Sequence, residues 1–436
     1  MPNRHRTPRA AFRLSACVIV TVFFTTFAAA QTETVLHDFV MQSGTLPFSG
    51  VVLDSHDNIY GTTQNGGRQS VGTVYELSPS SGGGWTYTVL HNFSYKVAND
   101  GFYSVSTPIF NAGNLYGTTL WGGAADDGTV FEMVQQSDGT WNEKLIYSFH
   151  GTDGQFAEAS ITADASGNLY GTTTYGGSTF GTTECEGSAE SGCGVVFQLK
   201  PDANGGWVER VLWNFSKNGT DGLNPTGGVV FDAAGNLYGT TLFGGTYNYG
   251  IVFELSPTTS GEWKETILHS FDHNGTDGFF PSTGKLVFDA HGNLYGTTED
   301  GGSGNNPQGT IFRLEPSSSG TWTETIIRSF QVAGGNGAVP NGSLIFDASG
   351  NLYGTTEFGG DFHNGTVFEL SPASGGRWTI KNLHSFGAYP DGSFPVSGVT
   401  FDSIGNLYGS SENGGTGKNV GNCSYYNCGT VFEVTP

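Results

Sequence analysis

Three glutamates and four aromatic residues recur at one place in a repeated motif, and no other side chains in this sequence are better placed to do chemistry. Glu299, Glu357 and Glu412 follow copies of Y-G-T-T or Y-G-S-S, just ahead of a Gly-Gly pair. Trp121, Tyr175 and Phe243 stand in the same short stretch of other copies, and Phe358 lies beside Glu357. Turn formation does not require this division. An aromatic arc facing a carboxylate arc offers stacking surface and hydrogen-bond acceptors together, which suits a sugar or a cationic group. Converging like charges also raise the pKa of one carboxyl, as an acid catalyst needs. The plainer alternative is aromatics packed under their own loops and glutamates in solvent.

Other reactive residue types read as structural. His37, His91, His269 and His384 hold equivalent positions, where Tyr147, Trp213 and Arg328 stand in the remaining copies. A position that accepts all four types asks for a planar or amphipathic group packed between sheets, not for a ligand or a base. Asp100, Asp153, Asp221, Asp277 and Asp391 each precede a glycine, the mark of a plain turn. A calcium site needs several oxygen ligands close in sequence or converging in space. The motifs G-x-S-x-G, H-E-x-x-H and G-x-x-x-x-G-K are absent, so no catalytic residue, metal or cofactor is assigned. Besides Cys17 there are two local cysteine pairs, Cys185 with Cys193 and Cys423 with Cys428. In an exported chain these read as disulfides that pin long loops. A four-cysteine zinc site is the alternative, but it would have to join distant units, and the spacings do not fit it.

What positions these residues is a repeat. Seven copies of N-(L/I)-Y-G begin at Asn58, Asn114, Asn168, Asn236, Asn293, Asn351 and Asn406, and such spacing means a repeat architecture. In residues 227–271 the unit has four segments of strand character. They are 228–232, 236–241 after a D-A-A-G-N turn, 250–255 after Gly-Gly, and 263–271 starting at Trp263. Gly239 in mid-strand marks a place where a neighbouring backbone or sheet comes close. Four antiparallel strands make one blade, and seven units predict an all-β, seven-bladed propeller. The chain ends after the third strand of the seventh unit, while residues 31–39 match the fourth strand of other units. An N-terminal strand is therefore expected to complete the last blade and close the ring without a raw sheet edge. Turns after the second and fourth strands share the face where loop length varies: 16 residues in unit three and 13 in unit seven, against four in units one, two, four and six. Loop variation on a rigid scaffold is where binding concentrates.

Residues 1–30 read as a secretory signal, with Arg4, Arg6, Arg9 and Arg13, then an apolar run over 14–27, then Ala28-Ala29-Ala30. Residues 31–436 then form a single domain with no further apolar stretch long enough to span a bilayer. Cleavage leaves 13 basic against 39 acidic residues, a net charge of −26, which argues against nucleic acid or an anionic membrane as partner.

The pattern G-N-L-Y-G-T-T-x-x-G-G, G-T-V-F-E-L-x-P and W-x-x-x-x-L-H-x-F resembles the Gloeo/Verruco repeat of exported bacterial proteins, and more weakly the kelch repeat. The resemblance implies export and a propeller-like array, with no established activity. Many such proteins end in an anchoring segment; this chain ends at Val434-Thr435-Pro436, so anchoring is not carried over. The expectation is a secreted, monomeric binding propeller whose variable face holds a partner protein or a glycan. The alternative is an exported carbohydrate-active hydrolase or lyase using mouth carboxylates.

Overall fold

The computed structural model describes residues 32–181, 185, 192–331, 335–387, 390–416 and 428–436. Every helix or strand assigned among them is a β-strand, and the strands form seven antiparallel units, the blades of a seven-bladed propeller; six are four-stranded, one carries a fifth strand, and three short two-stranded ladders lie beside them. In the fourth blade Val230–Phe231, Leu237–Thr241, Ile251–Pro257 and Trp263–Ser270 lie side by side in chain order. The innermost strand keeps only two residues, because blades converge toward the axis. Closure is as the repeat register predicts. Thr32–Asp38 pairs antiparallel with Thr430–Thr435, and its register shifts between Val35 and His37. The shift matches the one between Val252 and Phe253 in the fourth blade, so the N-terminal strand is a true fourth strand.

The conserved letters of the repeat have separate physical jobs. A Cβ on Gly239 would lie 2.6 Å from Cζ of Phe253, its cross-strand partner. The glycine marks a close approach, as the sequence predicts, and what comes close is an aromatic ring from the neighbouring strand of the same blade. The first Thr of Y-G-T-T reaches the next blade: Thr172 Oγ1 donates to the Gly227 carbonyl at 3.0 Å, and Ser410 Oγ to the Ser49 carbonyl at 2.6 Å. The second pairs within its blade, Thr356 with Thr366 at 2.8 Å. Between neighbouring blades lies a buried apolar cluster, such as Tyr170, Val196, Phe215, Val229, Phe253 and Leu255. The fourth-strand Trp packs edge-on against the inner Tyr of the preceding blade, with ring centroids 5.7 Å apart for Trp141 and Tyr60.

On the hairpin face the D-x-x-G-N turn is a small donor cage. Asp289 Oδ1 accepts from the His291 and Asn293 amides, and Oδ2 from Asn293 Nδ2 at 2.7 Å and the Tyr295 hydroxyl at 3.1 Å. The second blade has no Asp at this turn, and Glu132 accepts from Asn114 and Tyr116 instead. A disulfide joins Cys185 to Cys193 across Cα atoms 5.3 Å apart. Cys428 is also disulfide-bonded; its expected partner, Cys423, lies outside the described residues.

Candidate ligand site at the axial mouth

Strand alternation decides where the residues after Y-G-T-T point, since successive side chains leave a strand on opposite sides. The first residue after the motif faces the axis. Gln64, Leu120, Glu357 and Glu412 line a cavity of about 380 Å³ there, together with Phe48, Val105, Glu158, Thr283, Asn341 and Val396, most of them from the segments that lead into the inner strands of their blades. The wall is mixed: Glu158, Glu357 and Glu412 share it with Phe48, Val105, Leu120 and Val396. Its floor narrows where backbones abut, because a Cβ on Gly284 would collide with the Gly342 carbonyl. Lys285 closes the floor from the fifth blade, its ammonium donating to the Ile161 carbonyl at 2.6 Å and to Thr162 Oγ1 at 2.9 Å. Burial pulls that ammonium down to about 8.

Glu299, the third glutamate after the motif, is not among the residues that line this cavity, but all three are pushed toward their protonated forms. Burial, then the Glu357 charge, then the Asp300 charge push the Glu299 carboxyl up to about 7. Burial and the Glu412 charge raise Glu357, with Asn341 pulling the other way. Burial raises Glu412 against the pull of Asn413. Glu158 is pushed up to about 7 by burial, with the Thr174 hydroxyl opposing.

The aromatic arc stands outside this cavity. Trp121, Tyr175, Phe243 and Phe358 occupy the second position after the motif, and none of them lines the cavity wall. They form an outer tier, so the two arcs do not face one another across one pocket. Each is met by an aromatic from an inner loop. Trp121 lies 4.4 Å from Phe156, Phe156 5.8 Å from Tyr175, Phe243 5.4 Å from Phe280, and Phe358 5.4 Å from Phe394. Trp121 is 38% and Phe358 40% exposed, leaving stackable surface around the rim.

Phe156, Phe280 and Phe394 belong to a second ring that the sequence reading overlooks. Leu46, Tyr103, Phe156, Asn224, Phe280, Val339 and Phe394 all have φ between 55° and 59°, a left-handed conformation that is strained for such side chains. Hydrogen bonds to two blades hold it. The Phe394 amide donates to the Asn364 carbonyl of the sixth blade at 2.8 Å, and its carbonyl accepts from the Glu412 amide of the seventh at 3.1 Å. The signal was available: five of the seven precede a proline, as in Leu46-Pro47 and Phe280-Pro281.

The Asp-Gly aspartates are not the plain turns expected. Asp277 Oδ2 accepts from His269 Nε2 at 3.1 Å, and Asp391 Oδ2 from His384 Nε2 at 3.0 Å. These histidines lie between blades, and His37 stacks on Tyr87 with centroids 3.9 Å apart.

Fold and site together define a seven-bladed β-propeller with an acidic axial mouth under an aromatic rim. Residues 19–183 and 176–432 match the Gloeobacter/Verrucomicrobia repeat, and the chain belongs to that repeat family. No curated protein matches it. Solved structures similar to this chain include a protein of unknown function from Dyadobacter fermentans, 12% identical over 92% of this chain and 98% of that one with a TM-score of 0.45. A putative gluconolactonase is 14% identical over 82% and 96% with a TM-score of 0.41, and a luciferin-regenerating enzyme 13% identical over 93% and 95% with the same score.

Proposed function

We propose that the protein is an exported binding propeller that takes a glycan at the axial mouth of its variable-loop face. The observation that carries this reading is the axial cavity, whose wall combines Glu158, Glu357 and Glu412 with Phe48, Val105 and Leu120, below exposed rim aromatics. Carboxylates accept from sugar hydroxyls, and apolar and aromatic surfaces take the C–H faces of the ring. Export is supported by the arginine-rich, then apolar, then Ala-Ala-Ala start of the chain and by the Cys185–Cys193 disulfide, a bond that persists in oxidising compartments. No helix among the described residues is long and apolar enough to cross a membrane.

A glycan array probed with the purified protein tests the reading. The E299Q/E357Q/E412Q variant should lose at least tenfold in affinity for any glycan found, with its unfolding midpoint nearly unchanged in mildly acidic buffer, where these carboxyls are protonated. Undiminished binding in that variant and in W121A removes the site, and capture of a secreted protein in place of any glycan makes the ligand a partner protein. The hydrolase or lyase reading is favoured by one observation, that Glu158 and Glu299 are pushed up to about 7 and so keep a proton near neutrality. Glycan cleavage that disappears in E299Q or E158Q would turn the binding site into an active site.

A further inference from the structure

Five of the seven junctions between blades bring two carboxyl groups together where fourth strands run side by side. At three of them the donor atoms lie within 4.8 Å of one another: His91, Asp100 and Glu143; His269, Asp277 and Glu324; His384, Asp391 and Glu33. At two more the imidazole is replaced and the acid pair remains. Glu209 feels the charge of Asp153, which accepts from the Tyr147 hydroxyl at 2.6 Å. Glu265 and Asp221 stand close enough, at the junction of Trp213, for each to act on the other's proton.

The two acids of a pair are not equivalent. The Asp is well supplied with donors: besides its histidine, Asp277 Oδ2 accepts from the Asp272 amide at 3.0 Å, and Asp391 Oδ2 from the Gly387 amide at 2.6 Å. The Glu is not. Oε1 of Glu33, Glu209, Glu265 and Glu324 is buried and accepts no hydrogen bond, and so is Oδ1 of Asp277 and Asp391; His269 Nε2, already bonded to Asp277, lies 3.6 Å from the Glu324 oxygen, beyond hydrogen-bond reach. Two ionised carboxylates in that setting would repel one another in a poorly solvated space and leave both oxygens unsatisfied. One proton between them removes the repulsion and satisfies both.

We propose that these five junctions are proton-binding sites, each holding one proton between a Glu and an Asp, so that the ring is tightest in mildly acidic solution and loosens as the solution turns alkaline. The proton, not a metal ion, is the occupant common to all five, because Tyr147 and Trp213 keep the acid pair without an imidazole ligand. The surrounding charges agree. Burial and then Asp153 push Glu209 up to about 8, with His150 also beside Asp153 at 3.6 Å. Burial and then the paired Asp raise Glu265 and Glu324. Burial and Asp391 push Glu33 up to about 7, with His384 pulling back and Asp38 adding to the rise. Burial takes Glu143 to about 6, with His91 pulling back and Asp100 adding to the rise. Folded-state values above the ordinary 4.5 mean stability that is complete below that pH and is lost as the pH rises through the folded values, from about 6 to about 8 and beyond.

The test compares the purified protein with E209Q/E265Q/E324Q, in which Gln copies the shape and neutrality of a protonated Glu. The wild-type unfolding midpoint should fall by more than about 5 °C from pH 5.5 to 8.5. The variant should lose at least half of that fall, the rest belonging to Glu33, Glu143, Glu158 and Glu299. Infrared spectra of the folded wild type at pH 7 should show the carbonyl band of protonated carboxyl groups, diminished in the variant. The proposal is overturned by a flat wild-type profile, by a variant that falls as far as the wild type, or by stabilisation with Zn²⁺ or Ca²⁺ that the variant loses. If the triple variant does not fold, E324Q alone and the wild-type infrared band decide, and absence of that band overturns the proposal.

Discussion

The hairpin face and the variable face of the ring treat carboxylates in opposite ways. Asp54, Asp164, Asp289 and Asp347 are partly buried, which favours their protonated form, yet bonds from Asn side chains, backbone amides and Tyr hydroxyls outweigh burial and hold each carboxyl below its ordinary value. Glu158 and Glu299 at the mouth are buried with far fewer donors and are pushed up to about 7. The lesson is that donor count, not acidity of composition, decides where the negative charge of this protein resides. The signs follow. The hairpin-face carboxylates contribute stability that is present above the unfolded Asp value and lost as the pH falls through their lower folded values. The mouth glutamates contribute stability present below the unfolded Glu value and lost as the pH rises through about 7.

The harshest break of this two-faced ring is at its closure. Removing residues 31–39 strips Thr32–Asp38 from Thr430–Thr435 and should lower the unfolding midpoint by more than about 10 °C or cause association through the exposed edges. Calorimetry and size-exclusion chromatography read both, and a monomer melting within a degree or two of the uncut form would refute noncovalent closure. Next comes Gly239→Val, which drives a side chain into the Phe253 ring that both faces depend on. It should cost about 2–3 kcal/mol in urea titrations, and a loss under about half a kilocalorie would show that the ring can move aside.

Smaller effects sharpen the contrast between the faces. Asp289→Ala leaves the Asn293 and Tyr295 donors without their acceptor and should cost about 1–2 kcal/mol at pH 7. The gap to wild type should close below about pH 4, as the native carboxyl also becomes protonated; a gap that stays constant with pH would mean that the carboxylate charge is not what holds the turn. The mildest change is Trp121→Ala on the rim, expected to alter stability by under about 1 kcal/mol while weakening glycan binding. A large loss of stability would place Trp121 in the fold and not in the site.

Much of the scaffold was legible because each blade repeats the same local rules. Asp-x-x-Gly-Asn announces a hairpin by itself, Gly-Gly breaks a strand by itself, and the match of residues 31–39 to other fourth strands needs only register. The site was less legible. Glu357 and Phe358 are neighbours in sequence, but strand alternation sends one toward the axis and the other to the rim, and a single arc drawn through both merges two tiers. Glu158 gave no local sign of lining the cavity, because the feature that puts it there is the meeting of segments from blades far apart in sequence.

By itself the sequence determined the number of blades, their strand order, the strand that closes the ring and the face on which loops vary, since all of these follow from local turn chemistry and from counting. Only the tertiary structure decided which carboxyls keep their protons. Glu324 and Asp277 are 47 positions apart, and nothing near either shows that the two share a junction with few donors. Burial and pairing are properties of the space between blades, and that space exists only once the ring has closed.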